Sequence, residues 1–297
     1  MKGPEEPSCR VAAIVLNYNA PGLTINCFQS LKQQSSSIDQ MVVVDNGSKE
    51  PLPGKLEELI PDIRQIHLEQ NRGFSCGVNA GIQAIPHDLN HDYVWLLNND
   101  VICGPTVLKK MLAHITQDPE MAAVGCMMEE LEDNGQIVQV IGGHFPNRFF
   151  LVPYVSRPGA PVDYLCGACV LIRREALEDV GLLDENYFFF FEDADWSFRA
   201  AQKGWKLGVC NEAVISHQRS STIGKLHRLR ASYYRAGYIR FLCTYSKIPY
   251  LTALMTTAYR LVRYAWKRQW ESFYGTIEGW RKGWSTIRSC GGEGGSI

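Results

Sequence analysis

The chain has 297 residues, 45% hydrophobic and 11% aromatic, enough apolar material to bury a large core in one or two domains; this excludes a disordered or low-complexity protein. Its formal charge of −1 hides an asymmetry: residues 218–297 carry 14 Lys and Arg against 3 Asp and Glu, whereas residues 1–217 carry 16 against 28. A basic C-terminal segment on an acidic body points to an anionic neighbour, either membrane or nucleic acid. The N-terminus Met1-Lys2-Gly3-Pro4-Glu5-Glu6-Pro7 lacks the apolar run of a signal peptide, and no apolar run is long enough to span a bilayer, so a cytosolic protein is expected. Ten cysteines in such a chain read as reduced, packed thiols.

Ala12 to Tyr18 is a continuous apolar strand, followed by the turn Asn19-Ala20-Pro21-Gly22 and a helix with apolar Leu23, Cys27 and Leu31. Met41 to Val44 is a second strand, closed by Asp45-Asn46-Gly47-Ser48; a helical stretch at Leu56 to Ile60 and a shorter strand near Ile63 to Leu68 follow. The loop Asn71-Arg72-Gly73 opens a helix from Ser75 to Ala84 in which Gly73, Gly77 and Gly81 recur every four residues. That spacing matches neither a dinucleotide fingerprint nor a P-loop, so a nicotinamide enzyme or an NTPase is poorly supported. A smooth glycine stripe lets a helix approach a sheet or a ligand, and the sequence leaves both open. Arg72 beside it has the planar fork that suits a diphosphate, or is simply solvated.

Tyr93 to Leu97 is a fourth strand, apolar on both faces, which stops abruptly at Asn98-Asn99-Asp100. Strands alternating with helices over about 100 residues predict parallel βαβ units, a Rossmann-like half-sheet with its polar clusters at strand ends, where ligands bind in open α/β sheets. A carboxylate and two amides there can hold a hard divalent cation that carries phosphates. Equally, Asn99 or Asp100 can cap a helix starting near Pro105. That amphipathic helix runs to Gln117, Ala122 to Met128 is another strand, and residues 129–160 form an irregular region or small hairpin near the substrate.

Cys166-Gly167-Ala168-Cys169 runs straight into Val170-Leu171-Ile172, a strand, whereas a redox pair opens a helix; the two thiols read as packing residues. Arg173 to Val180 is helical. The aromatic run Tyr187-Phe188-Phe189-Phe190-Phe191 then meets Glu192-Asp193-Ala194-Asp195-Trp196. Three carboxylates pressed against aromatics are costly, and burial raises the pKa of at least one, which suits a general base. The other reading has Glu192 and Asp193 capping a helix while Asp195 pairs with Arg199. Trp205 to Ser216 gives one or two strands ending at His217, a surface histidine or a metal partner for Asp100. From His227 the chain is helical, with apolar residues at steps of three and four and Arg260, Arg263, Lys267, Arg268, Arg281 and Lys282 between them. Such basic amphipathic helices, rich in tryptophan, fit a membrane interface, their own domain or a second subunit. Residues 290–297 read as a disordered tail.

Five ordered motifs, Val15-Leu16-Asn17-Tyr18-Asn19, Val43 to Ser48, Asn71 to Gly81, Leu97-Asn98-Asn99-Asp100 and Phe191 to Trp196, resemble glycosyltransferase family 2 over residues 10–245. Within that family the sequence looks most like bacterial rhamnosyltransferases of surface-polysaccharide assembly. The resemblance implies an inverting enzyme of GT-A fold, α/β with a mixed sheet flanked by helices, in residues 1–225, and a basic helical extension in 226–289. Asp45 would bind the nucleoside, with Asn17, Asn19, Arg72, Asn79 and Asn98 lining the nucleotide pocket. Asp100 matches the last acid of the Asp-x-Asp motif and, with His217, would hold Mn2+ or Mg2+. Asp193 matches the catalytic base. Expected partners are a dTDP- or UDP-linked sugar, with dTDP-rhamnose the leading candidate, a lipid-linked saccharide acceptor and an anionic membrane surface; a homodimer is allowed and nucleic acid is disfavoured. Asn98 stands where the motif has its first acid, which lowers the charge of the metal site and leaves a catalytically silent scaffold subunit as the competing expectation.

Overall fold

A computed structural model describes residues 9–50, 52, 55–86, 91–131, 135–217 and 227–290. The N-terminal stretch, Gln218 to Thr222 and the tail beyond Cys290 lie outside the described residues. The first βαβ units are as expected: β1 (Val11–Asn17), α1 (Pro21–Lys32), β2 (Gln40–Asp45), α2 (Lys55–Leu59), β3 (Arg64–His67), α3 (Phe74–Gln83) and β4 (Tyr93–Asn98). The four strands pair in parallel in the order β3-β2-β1-β4. Because β1 lies between β2 and β4, the chain leaves it in opposite directions along the sheet, and the carboxyl ends of these strands border a crevice.

Residues 101–103 depart from the sequence expectation. Val101–Cys103 is a short strand, β5, and helix α4 begins only at Val107 and runs to Ile115, so neither Asn99 nor Asp100 caps it. β5 forms the far edge of the sheet and pairs antiparallel with β11 (Lys206–His217), which sets Val101 opposite His217. Between β4 and β11 run β10 (Cys169–Arg173) and β6 (Met121–Leu131), with β10 inserted antiparallel between β4 and β6. Residues 129–160 are more regular than expected: β7 (Ile137–Val140) pairs with β6, and β8 (Gly142–His144) pairs with β9 (Tyr154–Ser156) in a small separate sheet.

Alternation with period two divides the sheet's side chains between two cores. Val11, Ala13 and Val15 meet α1 and α4 on one face; Ala12, Ile14, Val42 and Val44 meet α3, α5 (Arg174–Val180) and α6 (Glu192–Gln202) on the other. The glycine stripe proves to be close packing. A Cβ at Gly81 would lie 2.6 Å from Ile14 Cγ2, and one at Gly77 2.4 Å from Leu16 Cδ1. Cys169 is buried and free, its sulfur accepting the Trp95 indole N–H at 3.4 Å, as the packing reading of the Cys-x-x-Cys pair requires.

Three helices complete the chain: α7 (His227–Tyr245), α8 (Pro249–Trp266) and α9 (Trp270–Cys290). A third, aromatic core joins them to the body, with Phe145, Leu151, Tyr187 and Phe191 packed against Tyr238, Ile239, Phe241 and Leu242. Among the described residues no helix is long and apolar enough to cross a membrane.

Candidate active site

The carboxyl ends of β1, β2 and β4 bring Asn17, Asp45 and Asn98 together at the crevice. Asn17 is fully buried and donates to Asp45 Oδ1 at 3.0 Å and to Ser48 Oγ at 3.1 Å, while its own oxygen accepts the Thr24 hydroxyl at 2.8 Å. The other Asp45 oxygen meets His67 Nδ1 at 3.0 Å, and Ser48 Oγ donates to Oδ1 over a short contact. A buried carboxylate held this firmly at a strand end is pre-oriented to accept from a ligand's N–H or hydroxyl groups. Asn19, exposed and in the left-handed region at φ 52°, accepts from Lys49 N at 2.8 Å and so sets the rim.

Arg72 is exposed at the mouth, its guanidinium 3.5 Å from Glu185 and its amide donating to Asn46 Oδ1. Asn79 sits deeper. Its amide donates to Leu183 O at 2.9 Å and Glu185 Oε1 at 3.1 Å, and its oxygen accepts from Leu183 N. It therefore clamps the 183–185 segment that carries Glu185 to Arg72.

Asp100 and His217 are brought side by side by the β5–β11 pairing, with Asp100 Oδ1 3.3 Å from His217 Nε2. The opposite ring nitrogen, Nδ1, lies 3.0 Å from Glu130 Oε1, a buried carboxylate one strand over on β6 and in register with His217. Burial alone would lower the pKa of His217, but the hydrogen bonds and charges of Asp100 and Glu130 outweigh it and push the imidazole up to about 9. Glu130 was not among the expected site residues. The signal that singled out Asp100, acids ending an apolar strand, was there in Glu129-Glu130, but the partner histidine is 87 positions away.

These residues fit a divalent cation. Two ligands about 2.1 Å from one octahedral ion sit about 3 Å apart, close to the separation of Asp100 Oδ1 and His217 Nε2. The Asp100 oxygen suits Mn2+ or Mg2+, and the imidazole nitrogen favours the transition-metal ion, Mn2+, of the two. Glu130 on the far nitrogen holds a proton at Nδ1 and fixes the ring, so a cation at Nε2 would displace only the proton shared with Asp100. Among the described residues no cluster of three or more protein ligands stands ready. The remaining ligands would come from phosphate and water.

Asp193 lies one residue into α6, behind two consecutive non-glycine residues in the left-handed region, Phe190 and Phe191, each with φ 74°. Such backbone costs on the order of 1–3 kcal/mol per residue and persists only where packing over-determines it. Here α7 approaches so closely that a Cβ at Gly237 would lie 2.5 Å from Phe190 O, and Phe191 stacks on Tyr238 at 5.2 Å. Asp193 Oδ2 accepts from Gly167 N at 3.2 Å. Burial raises its pKa, with the backbone N–H groups of Gly167 and Ala194 pulling the other way. Glu192, buried, with Oε2 unpartnered, is pushed well up by burial and by the Asp193 charge. Asp195 pairs with Arg199 at 2.9 Å as expected, but Glu192 and Asp193 do not cap the helix: the N-cap position is Phe191 and no side chain bonds there.

The 167–168 turn links the two sides: Gly167 N donates to Asp193 Oδ2, and Ala168 O accepts from the amide of Asn98, two residues before Asp100. A 380 Å³ cavity at the other end of α6, lined by Arg148, Phe198, Gln202 and Trp205, contains none of the expected site residues.

The family model described as glycosyl transferase family 2 matches residues 12–181, more than half of the chain. The chain belongs to glycosyltransferase family 2. This glycosyltransferase is 25% identical over 240 residues to an N-acetylglucosaminyl-diphospho-decaprenol L-rhamnosyltransferase of Mycobacterium tuberculosis, covering 72% of the chain and 78% of that relative. It is 24% identical over 292 residues to an O-antigen chain rhamnosyltransferase of Salmonella typhimurium, covering 89% and 91%. Among solved structures, GalNAc-T7 with UDP, GalNAc and Mn2+ shares the fold at a TM-score of 0.61 and 15% identity, over 80% of this glycosyltransferase and about half (48%) of that chain.

Proposed function

We propose that this glycosyltransferase moves a sugar from a nucleoside diphosphate to a lipid-linked saccharide with inversion at the anomeric carbon, in surface-polysaccharide synthesis at the cytoplasmic face of a membrane. The observation that carries the reading is the Asp100–His217 pair at the carboxyl edge of the sheet, tied to the half-buried carboxyl of Asp193 through the 167–168 turn. Asp45, Asn17 and Arg72 would hold the nucleotide, and Asp100 with His217 a Mn2+ or Mg2+ ion, whose chemistry is to stabilise charge on the departing diphosphate. The acceptor oxygen attacks the anomeric carbon from the face opposite the leaving group; the bond from that carbon to the phosphate oxygen breaks, and Asp193 takes the hydroxyl proton. The rhamnosyltransferase relatives support a dTDP-linked 6-deoxyhexose as donor.

Thermal unfolding with dTDP, UDP and GDP, each with and without Mn2+, tests the reading. A ligand at 100 times its Kd adds about 2.7 kcal/mol of stability, so one nucleotide should raise the Tm by several degrees, and more with metal. No shift with any nucleotide at millimolar concentration would return the weight to a silent scaffold. Donor turnover by the purified chain separates an active enzyme from a nucleotide-binding subunit.

A further inference from the structure

Helix α8 divides cleanly. Thr252, Ala253 and Thr257 are buried against the body, while Leu251, Leu254, Met255, Tyr259, Val262 and Trp266 share the opposite side at steps of three and four. These outer side chains are as exposed as 58% for Leu254, 71% for Val262 and 83% for Trp266. Solvated helices place charge on such a face, and an apolar ridge of this size marks an interaction surface. The helix contains no Asp or Glu, and exposed Arg263, Lys267 and Arg268 gather at its C-terminal end. The ridge continues into an apolar groove of about 250 Å³ between Met255 and Thr252 on α8 and Phe150, Val152 and Tyr154 on the neighbouring segment.

We infer that the outer face of α8 docks in the plane of an anionic lipid bilayer. An apolar face with cations at its edge matches acyl chains below and phosphate head groups above. The helix is not apolar enough all round to cross, so it lies on the surface. Pairing of this face with itself in a second copy fits less well, because the same helix would meet the cations with cations and no acid. Docking also aims the site. The groove segment's Leu151 carbonyl accepts the Tyr238 hydroxyl at 3.0 Å, and the Tyr238 ring stacks on Phe191, two residues before Asp193. The bilayer face and the base are thus fixed to one aromatic core, and a lipid-linked acceptor would be presented from the side on which α8 lies. That last step rests on the proposed function, whereas the docking itself does not.

Co-sedimentation of the full chain with vesicles of phosphatidylcholine, alone or with 30% phosphatidylglycerol, tests the inference without nucleotide. The expected result is binding to the anionic vesicles that weakens with salt. Leu254→Glu combined with Val262→Glu should lower that binding at least tenfold, and Arg263→Glu with Lys267→Glu should remove the preference for phosphatidylglycerol. All four positions are exposed, and an unchanged circular dichroism spectrum and unchanged nucleotide-induced Tm shift would show that the variants fold. Wild-type chain left in the supernatant with both vesicles would overturn the inference. So would light scattering that finds a dimer split by Leu254→Glu with Val262→Glu, since the ridge would then belong to a second copy. Vesicle binding with no nucleotide response would instead count against the transferase reading alone.

Discussion

Adjacent carboxyls at the start of α6 divide the chemistry between them. Glu192 Oε2 is buried without a partner, whereas Asp193 accepts from Gly167 N and Ala194 N, and these backbone donors favour the charged form of Asp193 and fit it to act as base. Asp193→Asn should therefore lower kcat by roughly 10²–10⁴ with nucleotide affinity unchanged. Glu192→Gln, which keeps the side chain's shape and leaves Asp193 in place, should hold kcat within a few-fold; equal losses in the two variants would refute the division. The pH profile follows the same logic. Asp193 must be ionised to work and its pKa is raised, so kcat/KM should fall on acidification with a limb above the ordinary aspartate value of 3.8. For stability, a raised carboxyl pKa in the folded state favours folding below the unfolded value of 4.5, an advantage lost as pH rises through the folded value. The Tm gain of Glu192→Gln over wild type should consequently grow with pH. On the metal side, Glu130→Ala frees the His217 ring to turn and should weaken Mn2+ binding, read by calorimetry or electron paramagnetic resonance, by about 10–100-fold. Glu130→Gln keeps an acceptor for Nδ1–H and should recover most of that affinity.

At the scale of elements, helix α3 shows how close packing supports the site. Replacing a helical glycine with alanine ordinarily gains about 1 kcal/mol. At Gly81 the new methyl meets Ile14 Cγ2 and Val44 Cγ2 at 2.6 and 3.0 Å, branched side chains on central strands that cannot swing away. Gly81→Ala should thus destabilise the protein by about 1–2 kcal/mol in a denaturant titration, against the sign of helix propensity. The stripe was visible in the sequence because glycine is diagnostic, although whether it met a sheet or a ligand was not. The same contrast holds across the fold. Strands β1, β2 and β4 were legible because they are apolar on both faces and end in abrupt polar clusters, and those clusters held Asn17, Asp45 and Asp100. β5 was hidden because three residues carry no period and its role comes entirely from pairing with β11, more than 100 positions away. The insertion of β10 between β4 and β6 is likewise a choice among possible long-range pairings, and local pattern does not encode it. Glu130 was missed for that reason: it becomes a site residue only once β6 and β11 lie in register.

For the whole molecule, the question is whether the helical layer is a separate unit or part of the catalytic body. The resemblance placed a boundary at 225/226 and the charge balance changes nearby, at 217/218, but charge reports on the surface and not on packing. Phe241 on α7 is fully buried, and its ring lies 5.2 Å from Phe145, 5.0 Å from Phe198 and 5.6 Å from Phe191, all contributed by the body. On its other side α7 meets α9 at near-backbone contact, since a Cβ at Gly279 would lie 2.3 Å from Ser232 O. A layer fused through one aromatic core should melt with the sheet, so calorimetry should give a single transition. Phe241→Ala removes about 3–5 kcal/mol of buried packing and should move that one peak down by roughly 6–15 °C. A separable layer would instead give two peaks, with one left in place. Because Phe191 precedes Glu192 and Asp193 in the strained turn, the same variant should also lower kcat well below the melting range. The left-handed backbone at Phe190 and Phe191 is held from the α7 side, and loosening that hold lets the base drift from the cleft.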